Sequence, residues 1–121
     1  MNENLNSLEN HILNNEGTEH PFSSPLNDEY REGIYSCKSC YTPLFKSDYK
    51  FDSGSGWPSF FDVIDNAIEK KEDYKLGVKR IEYHCKKCGG HHGHVFPDGP
   101  KPTGLRYCNN GASLIFTPNH K

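Results

Sequence analysis

The 121-residue sequence contains no long run of apolar residues and no excess of charge of either sign. A membrane-spanning helix needs roughly 18 consecutive apolar residues, and no stretch approaches that length. The N-terminal stretch also lacks the apolar run of a secretory signal. Basic and acidic residues are interspersed, and the formal net charge of −2 leaves no basic face for nucleic acid or anionic lipid. These absences predict a soluble, cytoplasmic protein that binds neither nucleic acid nor membrane.

Apolar residues are also scarce. They make up 33% of the sequence, and the mean hydropathy is −0.86. A core built from so few apolar residues buries little apolar surface to offset the conformational entropy lost on folding. The length is that of one domain. We therefore expect a single domain over residues 1–121 that something besides its apolar core stabilises.

From Gly33 onward, short segments of β-branched and aromatic residues alternate with Gly, Pro, Asn and Asp. Examples are the segments GIYSC, RIEYHC and ASLIF. In RIEYHC, Ile81, Tyr83 and Cys85 share one face, which is the period-two pattern of a half-buried strand. Residues 65–77 satisfy neither period cleanly, and we expect a strand there. The pattern predicts an all-β fold of antiparallel strands.

Helical spacing is confined to the N-terminal end. The apolar residues that recur at this spacing are Leu5, Leu8, Ile12 and Leu13. Gly17 stands where such a helix would stop, so we expect a short peripheral helix within residues 1–17. Asn27 and Asp28 are candidate caps of one further helical turn. The β domain with the candidate site would then span residues 18–121.

Five cysteines form two Cys-x-x-Cys pairs and leave one over. The pairs are Cys37 with Cys40 and Cys85 with Cys88. Two such turns can bring four thiolates together in the closed tetrahedral shell of a structural zinc ion. Zinc bound between distant turns adds folding free energy, which suits a chain with a lean core. A disulfide pair or a redox-active Cys-x-x-Cys of thioredoxin type are the alternatives, and the latter fits a strand-rich chain poorly.

The fifth cysteine, Cys108, follows a Gly- and Pro-rich loop and precedes an apolar strand. Arg106 would project to the same side of an extended segment, and a nearby cation favours the thiolate, which is the nucleophilic form. His91, His92 and His94 can exchange a proton near neutral pH. The alternative interpretation of Cys108 is a buried structural cysteine, and the alternatives for the histidines are additional metal ligands or a solvated loop. The polar surroundings of Cys108, and the presence of histidines in the same sequence, favour a catalytic role for these residues.

Four strings in the same order resemble the B-type methionine sulfoxide reductase family. They are GWPSFFDVI, the paired Cys-x-x-Cys, HHGHVFPDGPKPTG and RYCNNGASLIF, and the similarity runs from about Thr18 to Phe116. The resemblance implies two antiparallel sheets in a β-tent-like arrangement, with a structural zinc ion away from Cys108. It also implies reduction of methionine-R-sulfoxide, free or in proteins, to methionine.

In this family Cys108 would be the nucleophile. It would attack the sulfoxide sulfur, release methionine and become a sulfenic acid. By the same resemblance, His91 and His94 would polarise and protonate the sulfoxide oxygen, and Arg106 would lower the pKa of Cys108.

The resemblance also implies roles for the residues around these groups. Asn110 and Asp98 would orient the histidine network. Trp57, Phe96 and the ring of His94 would hold the substrate methyl group, so that only the R configuration aligns with the nucleophile.

The sequence departs from the family pattern at two positions. Ser55 stands where many members carry a resolving cysteine, and a hydroxyl cannot condense with a sulfenic acid to form a disulfide. The chain therefore resembles the one-cysteine subgroup, which an external thiol such as thioredoxin, glutaredoxin with glutathione, or another small thiol would reduce. His92 replaces a leucine that is common in the family.

Two other functional classes fit parts of the pattern. A zinc-binding module without catalysis would explain the paired Cys-x-x-Cys but gives no role to the histidines. A redox sensor would oxidise Cys108 to signal to a partner protein. Turnover of a sulfoxide distinguishes both from a reductase.

Overall fold

Helix α1, Ser7–Asn15, is the first element of the computed structural model, which describes residues 7–15, 18–74, 77 and 79–118. Its side chains Ile12 and Leu13 are buried, and Leu13 belongs to the main apolar cluster. The helix therefore packs on the core and is less peripheral than its sequence suggested. Leu5 and Gly17, which contributed to predicting the helix, lie outside the described residues.

A 3-10 turn at Pro25–Asp28 is the second short helical element. Its N-cap is Ser24, whose hydroxyl accepts a backbone N–H of the turn. The expectation that Asn27 or Asp28 would cap this turn is therefore wrong by a few residues. The reason is that Pro25 occupies the first helical position, where its missing N–H costs nothing, so the turn starts earlier.

Two antiparallel sheets make up the rest of the fold. The smaller has the order β2-β1-β9 and consists of β1 Gly33–Cys37, β2 Pro43–Lys46 and β9 Leu114–Pro118. The larger has the order β3-β4-β8-β7-β6-β5. Its strands are β3 Lys50–Phe51, β4 Ser59–Phe60, β5 Ile68–Asp73, β6 Arg80–Cys85, β7 His91–Phe96 and β8 Arg106–Asn109.

The core lies between the two sheets and is built largely from aromatic rings. Phe45 of β2 stacks on Phe60 of β4, with ring centroids 4.1 Å apart. Tyr35 of β1 meets the same Phe60 edge-on at 5.0 Å, and Tyr83 and Tyr107 of the larger sheet pack nearby. Such aromatic contacts concentrate much apolar area in few residues. They explain how a chain with little apolar content forms a buried core.

The structure confirms the predicted all-β fold with two antiparallel sheets and short N-terminal helices. The segments GIYSC and RIEYHC coincide with β1 and β6, and the ambiguous stretch 65–77 contains the edge strand β5. Among the described residues, no helix is long and apolar enough to cross a membrane.

Candidate active site

The four paired cysteines form one cluster at the turns that follow β1 and β6. Their sulfur atoms all lie within 4.8 Å of one another. The Sγ–Sγ distance is 3.7 Å from Cys37 to Cys88 and 3.5 Å from Cys40 to Cys85. All five cysteines of the chain are free thiols, which excludes the disulfide alternative in this structure. The four cysteines are therefore positioned to bind a metal ion.

The two turns have the same backbone hydrogen bonds. Tyr41 N–H donates to the Cys37 carbonyl, as Gly89 N–H does to the Cys85 carbonyl. Both Tyr41 and Gly89 have positive φ, +63° and +78° respectively. A left-handed residue after the second cysteine turns the chain back so that both sulfurs of a pair face the same point. Only in the second turn is this left-handed residue a glycine, so only there does the sequence indicate the positive φ.

Cys108 lies at the centre of the larger sheet. Strand β8 runs between β4 and β7, which places Cys108 beside Ser59 on one side and His94 on the other. Because directly opposed residues share a face, the sheet aims the Cys108 thiol and the His94 ring to the same side. Gly93 permits this close pairing, since a Cβ there would lie 1.9 Å from the Cys108 carbonyl oxygen.

A pocket of about 280 Å³ opens over Cys108. Besides Cys108, five of the expected site residues line it: Trp57, His94, Phe96, Arg106 and Asn110. The other lining residues are Thr18, Ser55, Arg80, Gly93 and Asn109. The pocket thus combines one thiol, aromatic surfaces and a small number of polar groups, as small-molecule sites commonly do.

Two opposing influences act on the Cys108 thiol. Burial raises its pKa, because desolvation disfavours the thiolate, and this is the larger effect. The Arg106 charge and a hydrogen bond from Ser55 act in the opposite direction. Arg106 therefore favours the thiolate as the resemblance implied, but the net pKa in the resting structure is raised. Ser55 stands beside the Cys108 thiol, at the place expected of a resolving cysteine.

Asp73 and Arg80 hold the ring of His94. His94 Nε2 lies 2.8 Å from Asp73 Oδ2, and Arg80 Nη2 lies 3.2 Å from the same oxygen. A carboxylate can only accept a hydrogen bond, so the Nε2 nitrogen carries the proton. Asp73 is only 5% exposed, so little water competes with His94 and Arg80 for its oxygen atoms.

His91 lies behind His94 and does not line the pocket. Its ring centroid is 5.7 Å from that of His94, and its Nδ1 is 3.3 Å from Glu82 Oε2. Lys71 pairs with the other Glu82 oxygen at 3.2 Å. The buried carboxylates Asp73 and Glu82 thus lie beside the two histidines, Asp73 against His94 and Glu82 near both, and sequence reasoning missed these carboxylates.

Asp98 and Asn110 contact other partners than the histidine rings. Asp98 forms a two-point ion pair with Arg106, at 2.9 and 3.2 Å. The guanidinium also lies 4.4 Å from the Phe96 ring centroid, so Asp98 and Phe96 together fix its position. Asn110 accepts a hydrogen bond from Glu19 N–H and donates one to the His92 carbonyl.

His92 points into the core beneath the pocket and is 0% exposed. Its Nδ1 lies 3.0 Å from Ser113 Oγ, while its Nε2 has no hydrogen-bond partner among the described residues. Burial lowers the pKa of His92 to about 3, so the ring is neutral at ordinary pH. His92, which replaces the leucine common in the family, therefore lies in the core and does not line the pocket.

Comparison with known proteins identifies the family. The family model described as "SelR domain" matches residues 5–118. The chain belongs to the SelR domain family. That match includes the helical N-terminal residues as well as both sheets and all five cysteines.

Curated relatives of this SelR domain are close in sequence. A peptide methionine sulfoxide reductase MsrB of Alteromonas mediterranea is 51% identical over 113 residues, which cover 93% of this chain and 80% of the relative. An MsrB of Methanosarcina mazei is 54% identical over 108 residues, covering 88% and 77%. The methionine-R-sulfoxide reductase B3, mitochondrial, of Mus musculus is 53% identical over 115 residues, covering 94% and 46%.

Among solved structures, the SelR domain resembles the Mis18 "Yippee-like" domain. The TM-score is 0.61 at 15% sequence identity, covering 75% of this chain and 100% of that chain. At this identity the likeness concerns the fold alone.

Proposed function

We propose that this SelR domain reduces methionine-R-sulfoxide to methionine, with Cys108 as the nucleophile. The observation that carries the proposal is the single pocket in which Cys108, His94 and Trp57 meet. The relatives named as methionine sulfoxide reductases support it, since they share about half of their residues with this chain. Substrate can be a free sulfoxide or an oxidised methionine in a protein.

The pocket suggests a binding orientation for the sulfoxide. Its methyl group lies against Trp57 and Phe96, its sulfur faces the Cys108 thiol, and its oxygen faces His94. In the S epimer, the oxygen and methyl group exchange places, so the oxygen would meet an aromatic surface. Such a polar group without a partner is disfavoured in a partly buried site.

The chemical step moves one oxygen atom and two electrons. The Cys108 sulfur attacks the sulfoxide sulfur while the sulfoxide oxygen takes a proton from His94, and the thiol proton of Cys108 returns to His94. The hydroxyl group then moves to the Cys108 sulfur, as both its bond to the methionine sulfur and the temporary sulfur–sulfur bond break. The products are methionine and a sulfenic acid on Cys108. The thiol is oxidised by two electrons and the sulfoxide is reduced by two, and the products contain the same atoms as the reactants. His94 supplies the proton, and Asp73 stabilises the imidazolium through its 2.8 Å contact. His91 with Glu82, and Arg106 with Asp98, support the same site.

We assign the four-cysteine cluster to a structural zinc ion. Zn–S bonds of about 2.3 Å in a tetrahedron require sulfur atoms roughly 3.8 Å apart. The measured distances of 3.7 and 3.5 Å fit that geometry. Four cysteine ligands leave no position for substrate, so zinc would stabilise the fold by joining the turns after β1 and β6.

Recycling of the enzyme then falls to an external thiol. Two thiol equivalents convert the sulfenic acid to the Cys108 thiol, water and a disulfide of the reductant. The other four cysteines cannot take part without loss of the metal site, and Ser55 cannot form a disulfide. Thioredoxin, glutaredoxin with glutathione, or a similar thiol of a reducing cytoplasm would serve.

A single-turnover experiment tests this proposal. Zinc-loaded protein is mixed with excess R sulfoxide and no thiol, and methionine and cysteine oxidation are quantified. We expect one methionine per chain and one oxygen atom on Cys108, and neither product from Cys108→Ser with its zinc retained. Oxidation of Cys108 without methionine release would instead indicate the redox sensor. Zinc binding with neither product would indicate the non-catalytic module.

A further inference from the structure

Glu19 lies between α1 and the 3-10 turn and is only 4% exposed. Its carboxylate accepts two backbone hydrogen bonds, from Gly111 N–H at 2.9 Å and from Ala112 N–H at 2.8 Å. These amides begin the short turn Gly111–Ser113, which follows the strand that carries Cys108. The carboxylate therefore ties an N-terminal segment to the chain just beyond the nucleophile, through charge-assisted bonds.

The backbone of Glu19 contacts both walls of the pocket. Its N–H donates to Asn110 Oδ1 at 3.0 Å, and its carbonyl accepts from Trp57 Nε1 at 3.1 Å. Both partners line the pocket together with Cys108. One buried residue thus connects the indole ring with the loop after the nucleophile.

Trp57 depends on this contact for its orientation. It follows a polar loop in which Gly54 and Gly56 have positive φ, so the loop alone does not fix the ring. Phe22 N–H and the Asn27 amide hold the Gly56 carbonyl and so secure the base of the loop. The indole has a single N–H donor, and its acceptor sets the direction of the ring.

We propose that Glu19 is a positioning residue of the methyl pocket: its carboxylate is clamped to Gly111 and Ala112, and its carbonyl fixes the Trp57 ring relative to Cys108. The inference rests on the proposed function for its meaning in catalysis. The ring position itself can be measured without turnover. A carboxylate that only stabilised the fold would leave the preference for a methyl group on sulfur unchanged.

The test compares Glu19→Ala and Glu19→Gln with the wild type. Glu29→Gln is the matched control, because the Glu29 carboxylate is likewise held by hydrogen bonds, here to Arg31, in the same segment but does not line the Cys108 pocket. Trp57 is the only tryptophan, so acrylamide quenching of protein fluorescence reports on it alone. The kcat/KM values for the R sulfoxides with S-methyl and with S-ethyl groups report on the fit of the pocket. Zinc content and circular dichroism establish that each variant is folded.

We expect quenching to increase in Glu19→Ala and the methyl-over-ethyl preference to fall about tenfold, since one methylene in a fitted pocket is worth roughly 10–200-fold. Glu19→Gln should lie between Glu19→Ala and the wild type, because its side-chain oxygen can accept only one of the two N–H groups well. Glu29→Gln should match the wild type in both readouts.

An unchanged preference in folded Glu19→Ala overturns the proposal, whether or not quenching increases. If Glu19→Ala does not fold, Glu19→Gln decides by the same two readouts. If the wild type reduces neither sulfoxide, the proposed function fails. Acrylamide quenching then tests alone whether Glu19 fixes the Trp57 ring: increased quenching in Glu19→Ala supports this role, and unchanged quenching overturns it.

Discussion

Replacement of His92 by leucine should change how the stability of the protein depends on pH. His92 is fully buried, and burial lowers the pKa of its ring from 6.5 to about 3. The unfolded chain therefore binds a proton at His92 near pH 6.5, while the folded chain does not. The stability contributed by neutral His92 is present above pH 6.5 and is lost as the pH falls from 6.5 towards 3.

The expected size follows from this difference. Between pH 7 and pH 5, protonation of His92 in the unfolded state lowers the free energy of unfolding by about 2 kcal/mol. This value comes from the roughly 1.5 pH units between pH 6.5 and pH 5, each worth roughly 1.4 kcal/mol. His92→Leu removes this contribution. It also removes the Nε2 nitrogen, which has no partner among the described residues, at the cost of the Nδ1 contacts to Ser113 and Asn109. The two proteins should therefore differ by no more than about 1 kcal/mol at pH 7.

The assay is urea denaturation of zinc-loaded wild type and His92→Leu at pH 7 and pH 5. Any loss of stability that the two proteins share at pH 5, such as weaker zinc binding as the thiolates take up protons, cancels in the comparison. We expect the wild type to lose about 2 kcal/mol more than the variant. Equal losses in the two proteins would refute the assignment of a neutral buried His92.

Three further changes test separate parts of the site. Ser55→Cys should let the introduced thiol condense with oxidised Cys108; one equivalent of R sulfoxide would then consume two free thiols per chain, against one in the wild type, as counted by thiol titration. Asp73→Asn should lower kcat/KM about 100-fold with zinc content unchanged, because His94 loses the carboxylate that supports its charged form; wild-type activity would exclude the proton-donor arrangement. Cys85→Ser should release zinc and lower the melting temperature, measured by metal analysis and calorimetry; full metal retention would contradict the four-cysteine site.

Local sequence patterns were sufficient for the parts of the fold that depend on local chemistry. Strand β1 begins at a glycine, and both β1 and β6 end at the first cysteine of a pair, so their limits were visible in the sequence. The spacing of the cysteine pairs likewise predicted their convergence, although Tyr41 gave no sign of the left-handed turn that it shares with Gly89. Features that depend on a few neighbouring residues, such as strand limits and paired cysteines, can therefore be predicted from the sequence.

The buried carboxylates could not be found in this way. Asp73 lies in a charged edge strand that looked solvated, and it becomes buried only because the β5–β6 pairing sets it opposite Arg80 and near His94. The signal in the sequence was weak: Asp73, Arg80 and Glu82 alternate onto one face of the two strands. Glu19 had no local signal, since its carboxylate partners are more than 90 residues away.

The most direct test of the central claim is turnover of separated epimers. Purified zinc-loaded protein with dithiothreitol is given the R or the S epimer of a blocked methionine sulfoxide, and thioether formation is followed by chromatography. The proposed function predicts repeated turnover of the R epimer and none of the S epimer. Reduction of both epimers at similar rates would contradict the role of the Trp57 wall, and reduction of neither would contradict the reductase itself.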